Sequence, residues 1–104
     1  MSIQSEHYLD EHGNPAGGVT QGTGFVIAWQ HGPLGRGAAR RPATGAFVED
    51  VIAAAIDRLE HYQDSPFSCE ENAEALAHLA AALRPLHRRT ADRELRNVEG
   101  THAR

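Results

Sequence analysis

The sequence predicts an α+β fold, in which a short antiparallel β-ribbon precedes a two-helix antiparallel hairpin that assembles as a dimer or a higher oligomer. One run of β-branched and aromatic residues, 25–29, is typical of a strand. Two later segments repeat apolar residues every three or four positions, which is typical of amphipathic helices. With 104 residues, the chain is expected to form one domain with a modest core.

Residues 1–18 are polar and end in a glycine-rich stretch, so we expect a flexible arm there and a single domain over 19–104. The β-ribbon is predicted at about 19–30, where Val19–Gln21 pair with Phe25–Trp29 across a glycine-containing turn. An isolated two-stranded ribbon is marginal in water and needs the helices or a partner.

A Gly-, Pro- and Arg-rich linker at 31–45 leads to the helical hairpin at 46–97. The first helix is predicted from about Ala46 to His61, and Pro66 ends it because proline disfavours helical geometry at the residue before it. Its apolar face consists of Phe47, Val48, Val51, Ile52, Ala55, Ile56, Leu59 and Tyr62.

The second helix is predicted to begin at Ser68, because Ser68 and Glu71 have the spacing of a capping box. It continues to about Arg96, with a kink at Pro85, which lacks an N–H group. The short connection between the helices predicts an antiparallel hairpin. Two heptad rows form the seam of this helix: Cys69, Leu76, Leu83 and Thr90, and Asn72, Leu79, Leu86 and Arg93.

Charge is unevenly distributed along the chain. Residues 1–79 carry four arginines and eleven acidic residues, a formal charge of −7, whereas 80–104 carry six arginines and three acidic residues, a charge of +3. A local positive field on an acidic protein favours a small anion, because the rest of the surface repels a long polyanion. Compositional bias is an alternative source of the arginines, since the chain contains no lysine.

Arg89 and Arg93 are one helical turn apart, so both guanidinium groups can reach one diphosphate. The alternative is a solvated basic surface paired with Asp92 and Glu94. Tyr62, at the end of the first helix, is a candidate to stack on a base or ribose; the alternative is an ordinary core aromatic residue.

Asn72 and Arg93 are polar residues in a row otherwise held by leucines, which indicates either a ligand pocket or two ends that fray into solvent. Asn72 and Arg89 are 17 residues apart, about 25 Å along a straight helix at about 1.5 Å per residue. No small ligand bridges that distance within one chain. If both contact one ligand, an antiparallel second copy must bring them together, which links the site to a two-fold dimer.

Other chemistry is not indicated. The single Cys69 cannot form an internal disulfide, and we expect no signal peptide, no membrane span and a cytosolic protein. The seven histidines have no metal-ligand spacing, so no metal or cofactor is expected. No nucleophile is paired with a base, which argues against an enzyme.

Four stretches resemble a known family: Gly45–Ile52, the F-x-C-x-E-N-A motif at Phe67–Ala73, the R-T-x-x-R motif at Arg89–Arg93, and V-E-G-T-H at Val98–His102. They resemble the phage Thoeris anti-defence sponges, which share their helical hairpin with the anti-CBASS cyclic-nucleotide sponges. The resemblance covers about residues 25–104. Asn97 stands where the family has glycine, and asparagine can adopt the left-handed conformation that glycine allows.

The resemblance implies a non-enzymatic protein that binds and sequesters cyclic ADP-ribose-type signals, chiefly glycocyclic ADP-ribose, made by bacterial TIR-domain enzymes. It implies a single nucleotide-binding domain over 19–104, acting as a homo-dimer or hexamer in the cytoplasm of the infected host. The family's pocket positions correspond to Tyr62, Asn72, Arg89 and Arg93. Some members also hold cyclic di- or trinucleotides elsewhere, a role for which Thr101 is the candidate here.

Two functions of other classes remain open at this point. One is a dimeric helical nucleic-acid-binding protein that uses the surface of Arg88–Arg96, although the acidic remainder of the chain argues against nucleic acid as a partner. The other is a structural interaction module whose arginines pair with acidic residues of a neighbour. Salt-dependent binding of duplex DNA distinguishes the first, and absence of any nucleotide ligand favours the second.

Overall fold

The computed structural model describes residues 2–104 and divides the chain into two compact units. The sheet unit comprises the residues up to Phe47 together with Arg96–Arg104, and the hairpin unit comprises Val48–Leu95. The elements are β1 (Gln4–Leu9), β2 (Pro15–Gly22), β3 (Phe25–Trp29), α1 (Val48–Gln63) and α2 (Glu70–Leu95), with a short 3₁₀ turn at Gly37–Ala39. This confirms the predicted α+β class.

The sheet has three antiparallel strands in the order β1-β2-β3. The predicted β-ribbon corresponds to β2 and β3, which pair from Gly18 opposite Trp29 to Gly22 opposite Phe25. The turn between them is Thr23-Gly24, with φ of 85° at Gly24. A positive φ is readily adopted by glycine, so the sequence specifies this turn locally.

The structure differs from the predicted flexible arm at residues 1–18. Gln4–Leu9 form β1, and β2 already begins at Pro15. All six residues of β1 are exposed, so the strand carries no burial pattern that periodicity could detect. Its formation depends on pairing with β2, in the register of Glu6 opposite Val19 and His7 opposite Gly18.

Two local features make the pairing of β1 possible. A Cβ atom at Gly18 would lie 2.2 Å from the carbonyl oxygen of Glu6, so only glycine allows the strands to approach. The Asp10 carboxylate accepts hydrogen bonds from the backbone N–H groups of His12 and Asn14, at 2.8 and 3.0 Å. The hydrogen bond from the backbone of Asn14 contributes most to lowering the pKa of Asp10, and the bond from His12 lowers it further. Together these bonds order the connection between β1 and β2.

The sheet is held by a polar chain across all three strands. The hydroxyls of Ser5 and Thr20 are hydrogen-bonded at 3.0 Å, and the indole N–H of Trp29 donates to Thr20 at 2.8 Å. Ala16, Gly18 and Thr20 are the only buried residues in the described part of the chain. One copy of the chain therefore has almost no closed core.

The helices begin two residues later than predicted. Cys69, not Ser68, precedes α2, and its carbonyl accepts the N–H of Ala73 at 3.3 Å. The predicted capping box is absent from the described residues, because the amide of Gln63 caps this end instead. α2 continues through Pro85 to Leu95. Asn97 follows with φ of 57°, which confirms the expected left-handed conformation.

α1 and α2 pack as an antiparallel hairpin in which the side chains between the helices are at most half-buried. No residue of either helix is buried. The row Asn72, Leu79, Leu86 and Arg93 is half-buried along its whole length, whereas Cys69 and Thr90 at the ends of the other row are exposed. The seam predicted from the heptads is therefore used, but the single chain covers it incompletely.

Candidate functional site at the ends of the helical hairpin

The inward face of α1 begins and ends with polar residues. Ile52, Ile56 and Leu59 form its half-buried apolar row, and Glu49 and Gln63 continue the same three- and four-residue spacing at either end. Glu49 contacts Arg89 of α2, and Gln63 contacts the backbone of Cys69, which immediately precedes α2. The hairpin therefore has two polar ends separated by an apolar seam, and each end holds two of the predicted site residues.

At one end, Arg89 lies beside Glu49. Arg89 Nη2 is 3.6 Å from Glu49 Oε1, and 63% of the Arg89 side chain is exposed. This separation exceeds a hydrogen bond, and Glu49 Oε1 is buried without accepting one from any residue that the structure describes. Electrostatic attraction to Glu49 therefore holds the guanidinium of Arg89, while its N–H donors make no hydrogen bond to Glu49 and face solvent. Arg93 lies one turn further along α2 and is half-buried.

Tyr62 lies at the opposite end, in the last turn of α1. Its ring is 38% exposed, and the guanidinium carbon of Arg58 lies 4.9 Å from the ring centroid. Arg58 Nε also donates to the Tyr62 hydroxyl at 3.2 Å. The cation over the ring and the hydrogen bond fix the orientation of an aromatic side chain that is not part of a closed core.

Asn72 lies in the first turn of α2, at the same end of the hairpin as Tyr62. Its side-chain N–H₂ donates a long hydrogen bond of 3.5 Å to the carbonyl of Phe67. Gln63 clamps this connection, because its amide donates to the Cys69 carbonyl and accepts from the Cys69 N–H, each at 3.0 Å. The clamp fixes the end of α1 against the start of α2 and hence sets the relative placement of Tyr62 and Asn72.

The structure places Tyr62 and Asn72 at one end of the hairpin, and Arg89 and Arg93 at the opposite end. The antiparallel packing places Arg89 at the start of α1, whereas Tyr62 lies at its end. The separation of Asn72 from Arg89 that the sequence predicts therefore also holds in the folded chain. One ligand can contact all four residues only if a second copy supplies one of the pairs.

Thr101 lies in the sheet unit, in the tail that follows α2. Its hydroxyl donates to the Val98 carbonyl at 2.5 Å and accepts the N–H of Ala103 at 3.2 Å. A ligand at Thr101 would compete with this local turn. Its role in a second ligand site stays a prediction.

The tail is fixed to the linker by a second group of arginines. Glu99 Oε2 contacts Arg40 Nη1 at 2.5 Å and Arg36 Nη1 at 3.8 Å, and Arg36 also donates to the Glu99 carbonyl at 2.9 Å. The backbone N–H of Gly35 donates to the Gly100 carbonyl at 2.7 Å. These contacts order a glycine-rich segment that has little secondary structure of its own.

Other sites are not indicated by the part of the chain that the structure describes. An open, mostly polar depression of about 400 Å³ lies on the sheet, lined by Gln4, Ser5, Glu6, Tyr8, Val19 and Gln21, with no arginine among them. No cluster of His, Cys, Asp or Glu among residues 2–104 could hold a metal ion. Across the same residues, none of the helices is both long and apolar enough to span a bilayer.

Sequence reasoning missed Glu49 and Gln63 as site residues. The missing signal is the register: both residues lie in phase with Ile52, Ile56 and Leu59, so they must face α2. A polar residue in phase with a packing row needs a partner across the seam.

The chain resembles known proteins over its helical hairpin. The family model of the Acb2/Tad1 hairpin domain matches residues 22–91, which include Tyr62, Asn72 and Arg89 but end before Arg93 and Thr101. A relative named Thoeris anti-defense 1, from Bacillus phage SBSphiJ7, is 46% identical over 77 residues, which are 74% of this chain and 51% of the relative. The chain thus spans about half the length of the curated relative it matches.

Proposed function

Because the chain belongs to the Acb2/Tad1 hairpin-domain family, we propose that it is a phage anti-defence protein that sequesters a cyclic ADP-ribose-type immune signal. The signal class is the product of bacterial TIR-domain enzymes, with glycocyclic ADP-ribose as the first candidate. The observation that carries the proposal is Arg89, which is 63% exposed, donates no hydrogen bond to any described residue and lies one turn from Arg93. Such a pair of arginines suits a diphosphate.

The four hairpin residues have complementary roles in this proposal. Arg89 and Arg93 neutralise the diphosphate, Tyr62 stacks on the base or a ribose, and Asn72 hydrogen-bonds to a polar edge of the ligand. None of these roles requires a bond to be broken. Sequestration needs tight binding and slow release without chemistry, so the protein acts as a sponge and not as an enzyme.

The proposed pocket is shared by two copies of the chain. An antiparallel second copy would place Asn72 and Tyr62 of one chain near Arg89 and Arg93 of the other. The exposed apolar surface supports such a partner, since no residue of either helix is buried and Phe67 and Leu95 are 79% and 85% exposed. The same contact would cover the half-buried seam. We propose a dimer, or a hexamer built from three dimers, as the binding species.

Titration calorimetry with glycocyclic ADP-ribose tests the function. We expect saturable binding and, after heat denaturation of the complex, recovery of the intact ligand by mass spectrometry. Absence of binding, or recovery of a cleaved product, would contradict the sponge. Duplex DNA serves as the second ligand in the same experiment, and tight, salt-dependent DNA binding would favour the alternative function instead.

A complementation experiment tests the shared pocket. Asn72→Ala and Arg89→Ala each damage both pockets of a homodimer, so each variant should bind weakly. A heterodimer of the two variants, isolated with two different affinity tags, should regain one intact pocket and bind half of the wild-type amount of ligand. A heterodimer that binds no better than its parents would show that Asn72 and Arg89 do not share a ligand across the interface.

A further inference from the structure

Among residues 2–104, Glu49 is the only acidic residue that lies against Arg89, and the contact has an unusual form. The Glu49 side chain is 22% exposed, and its Oε1 atom is buried and accepts no hydrogen bond from the described residues. A buried carboxylate oxygen without a donor is unfavourable, and the nearest cation lowers that free-energy cost. Arg89 Nη2, at 3.6 Å, is that cation.

This inference rests on the proposed function: we propose that Glu49 is a positioning residue, which holds Arg89 in place for the phosphate groups of a cyclic nucleoside diphosphate ligand. The ligand does not contact the buried Oε1 atom. Glu49 acts through Arg89 by restraining a long side chain that would otherwise sample many rotamers.

The geometry favours positioning over competition with the ligand. At 3.6 Å the ion pair is looser than a hydrogen bond, so Glu49 restrains the guanidinium without using up its N–H donors. An arginine in a competing, closed contact would instead donate short hydrogen bonds, as Arg40 does to Glu99. Restraint before binding reduces the ordering that the ligand must impose, which raises affinity.

The backbone explains why Glu49 can do this. Glu49 lies in the first turn of α1, in phase with Ile52, Ile56 and Leu59 on the face that packs against α2. Arg89 lies in the heptad row that begins with Ala75 and Ala82, whose small side chains are half-buried beside the seam. Both side chains therefore project from helices that the apolar seam already fixes, and the ion pair needs no rearrangement.

The test measures the affinity of the full chain for glycocyclic ADP-ribose after Glu49→Gln, with Asp57→Asn as the matched control. Asp57 is exposed on the same helix, so its substitution removes the same charge without touching Arg89. We expect Glu49→Gln to weaken binding by about three- to ten-fold, the effect of ordering one long side chain, and Asp57→Asn to leave it unchanged. Equal affinities of the two variants, or tighter binding by Glu49→Gln, would overturn the inference.

A double-substitution cycle separates positioning from a general structural role. If Glu49 acts through Arg89, Glu49→Gln should have no further effect on affinity in an Arg89→Ala background. An equal loss in both backgrounds would mean that Glu49 supports the fold instead. If Arg89→Ala reduces binding below detection, the comparison of Glu49→Gln with Asp57→Asn decides whether Glu49 positions Arg89. A wild-type chain that binds no ligand would refute the proposed function, whereas a binding wild type with an unaffected Glu49→Gln would refute only this inference.

Discussion

The arginines of the two units differ in what their N–H donors contact. In the sheet unit, Arg36 and Arg40 contact a Glu99 carboxylate that is 16% exposed, and they also donate to backbone carbonyls of Glu99 and Gly35. In the hairpin unit, Arg89 is 63% exposed and has a single ion pair, with Glu49, without a hydrogen bond. The first group fastens one segment of the protein to another, whereas Arg89 keeps its donors for a ligand.

This difference shows that the residue type does not by itself indicate a ligand site. One group of arginines lies in the glycine-rich linker and the other lies on a helix, yet both have an acidic residue within 4 Å. What separates them is the use of the guanidinium donors, since a donor that already bonds to a buried acceptor gains little from a phosphate oxygen. Substitutions in the two units should therefore affect different measurements.

Arg89→Ala should have the largest effect. We expect it to weaken binding of glycocyclic ADP-ribose by at least about 1.5 kcal/mol, roughly tenfold, because a charge-assisted hydrogen bond to the diphosphate is lost. The thermal unfolding midpoint should fall by much less than the affinity, since the Arg89 guanidinium is largely exposed and makes no hydrogen bond to Glu49. Calorimetry of Arg89→Ala beside Arg84→Ala, an exposed arginine of the same helix, checks the result. Equal loss in both variants would indicate general electrostatics and not a specific contact.

Glu99→Ala should have the opposite profile. Removing a largely buried carboxylate takes away its ion pairs with Arg36 and Arg40, and we expect the free energy of unfolding to fall by about 1.5 kcal/mol. Backbone amides of the tail should exchange faster with solvent, while affinity for the ligand at the hairpin stays the same. Hydrogen exchange and denaturant unfolding measure the first two quantities. A loss of affinity would mean that the comparison between the two units is wrong.

Gln63→Ala should have a smaller effect, confined to the connection between the helices. It removes both hydrogen bonds to the backbone of Cys69, for an expected loss of about 1 kcal/mol in stability because the site is exposed. Gln63→Glu is the informative companion, since a carboxylate still accepts the Cys69 N–H but cannot donate to the Cys69 carbonyl. Chemical denaturation should place Gln63→Glu between the wild type and Gln63→Ala. Equal stability of all three proteins would show that the clamp is not needed.

Protonation of Asp10 at acid pH should have the smallest effect on the stability of the fold. Its pKa is lowered below the usual 3.8, first by the hydrogen bond from the backbone of Asn14. A group with a depressed pKa in the folded state stabilises the fold at pH values above its unfolded pKa, and this contribution is lost as the pH falls through the folded pKa. NMR titration below pH 4 should show Asp10 protonating at a lower pH than the usual value for an aspartate side chain. Protonation at the usual value would mean that the turn between β1 and β2 does not hold in solution.

Much of the hairpin follows from local sequence patterns. Ile52, Ile56 and Leu59 specify the packing face of α1, and the leucines at 76, 79, 83 and 86 specify that of α2, because a period of about 3.6 residues leaves one face apolar. Thr23-Gly24 specifies the β-hairpin turn, and Asn97 adopts the conformation expected from its residue type. Each of these features depends on residues that are close in sequence.

β1 was not predictable in this way. Its six residues are exposed on both faces, so neither composition nor periodicity distinguishes them from a loop. Its pairing depends on Gly18, nine to fourteen positions away, and on the turn that Asp10 orders. The same limit applies to the start of α2, where a side-chain amide from α1 replaces the capping box that Ser68 and Glu71 suggested.

The sequence by itself determined the class of fold, the helical seam, the concentration of arginine near the end of α2 and the distance that separates Asn72 from Arg89. These depend on short-range periodicity, charge and helix rise, which a chain carries before it folds. Only the tertiary structure decided which arginines are used within the protein and which remain open to a ligand. Glu49 and Glu99 are far in sequence from the arginines they contact, and that pairing exists only after the helices, the linker and the tail have packed.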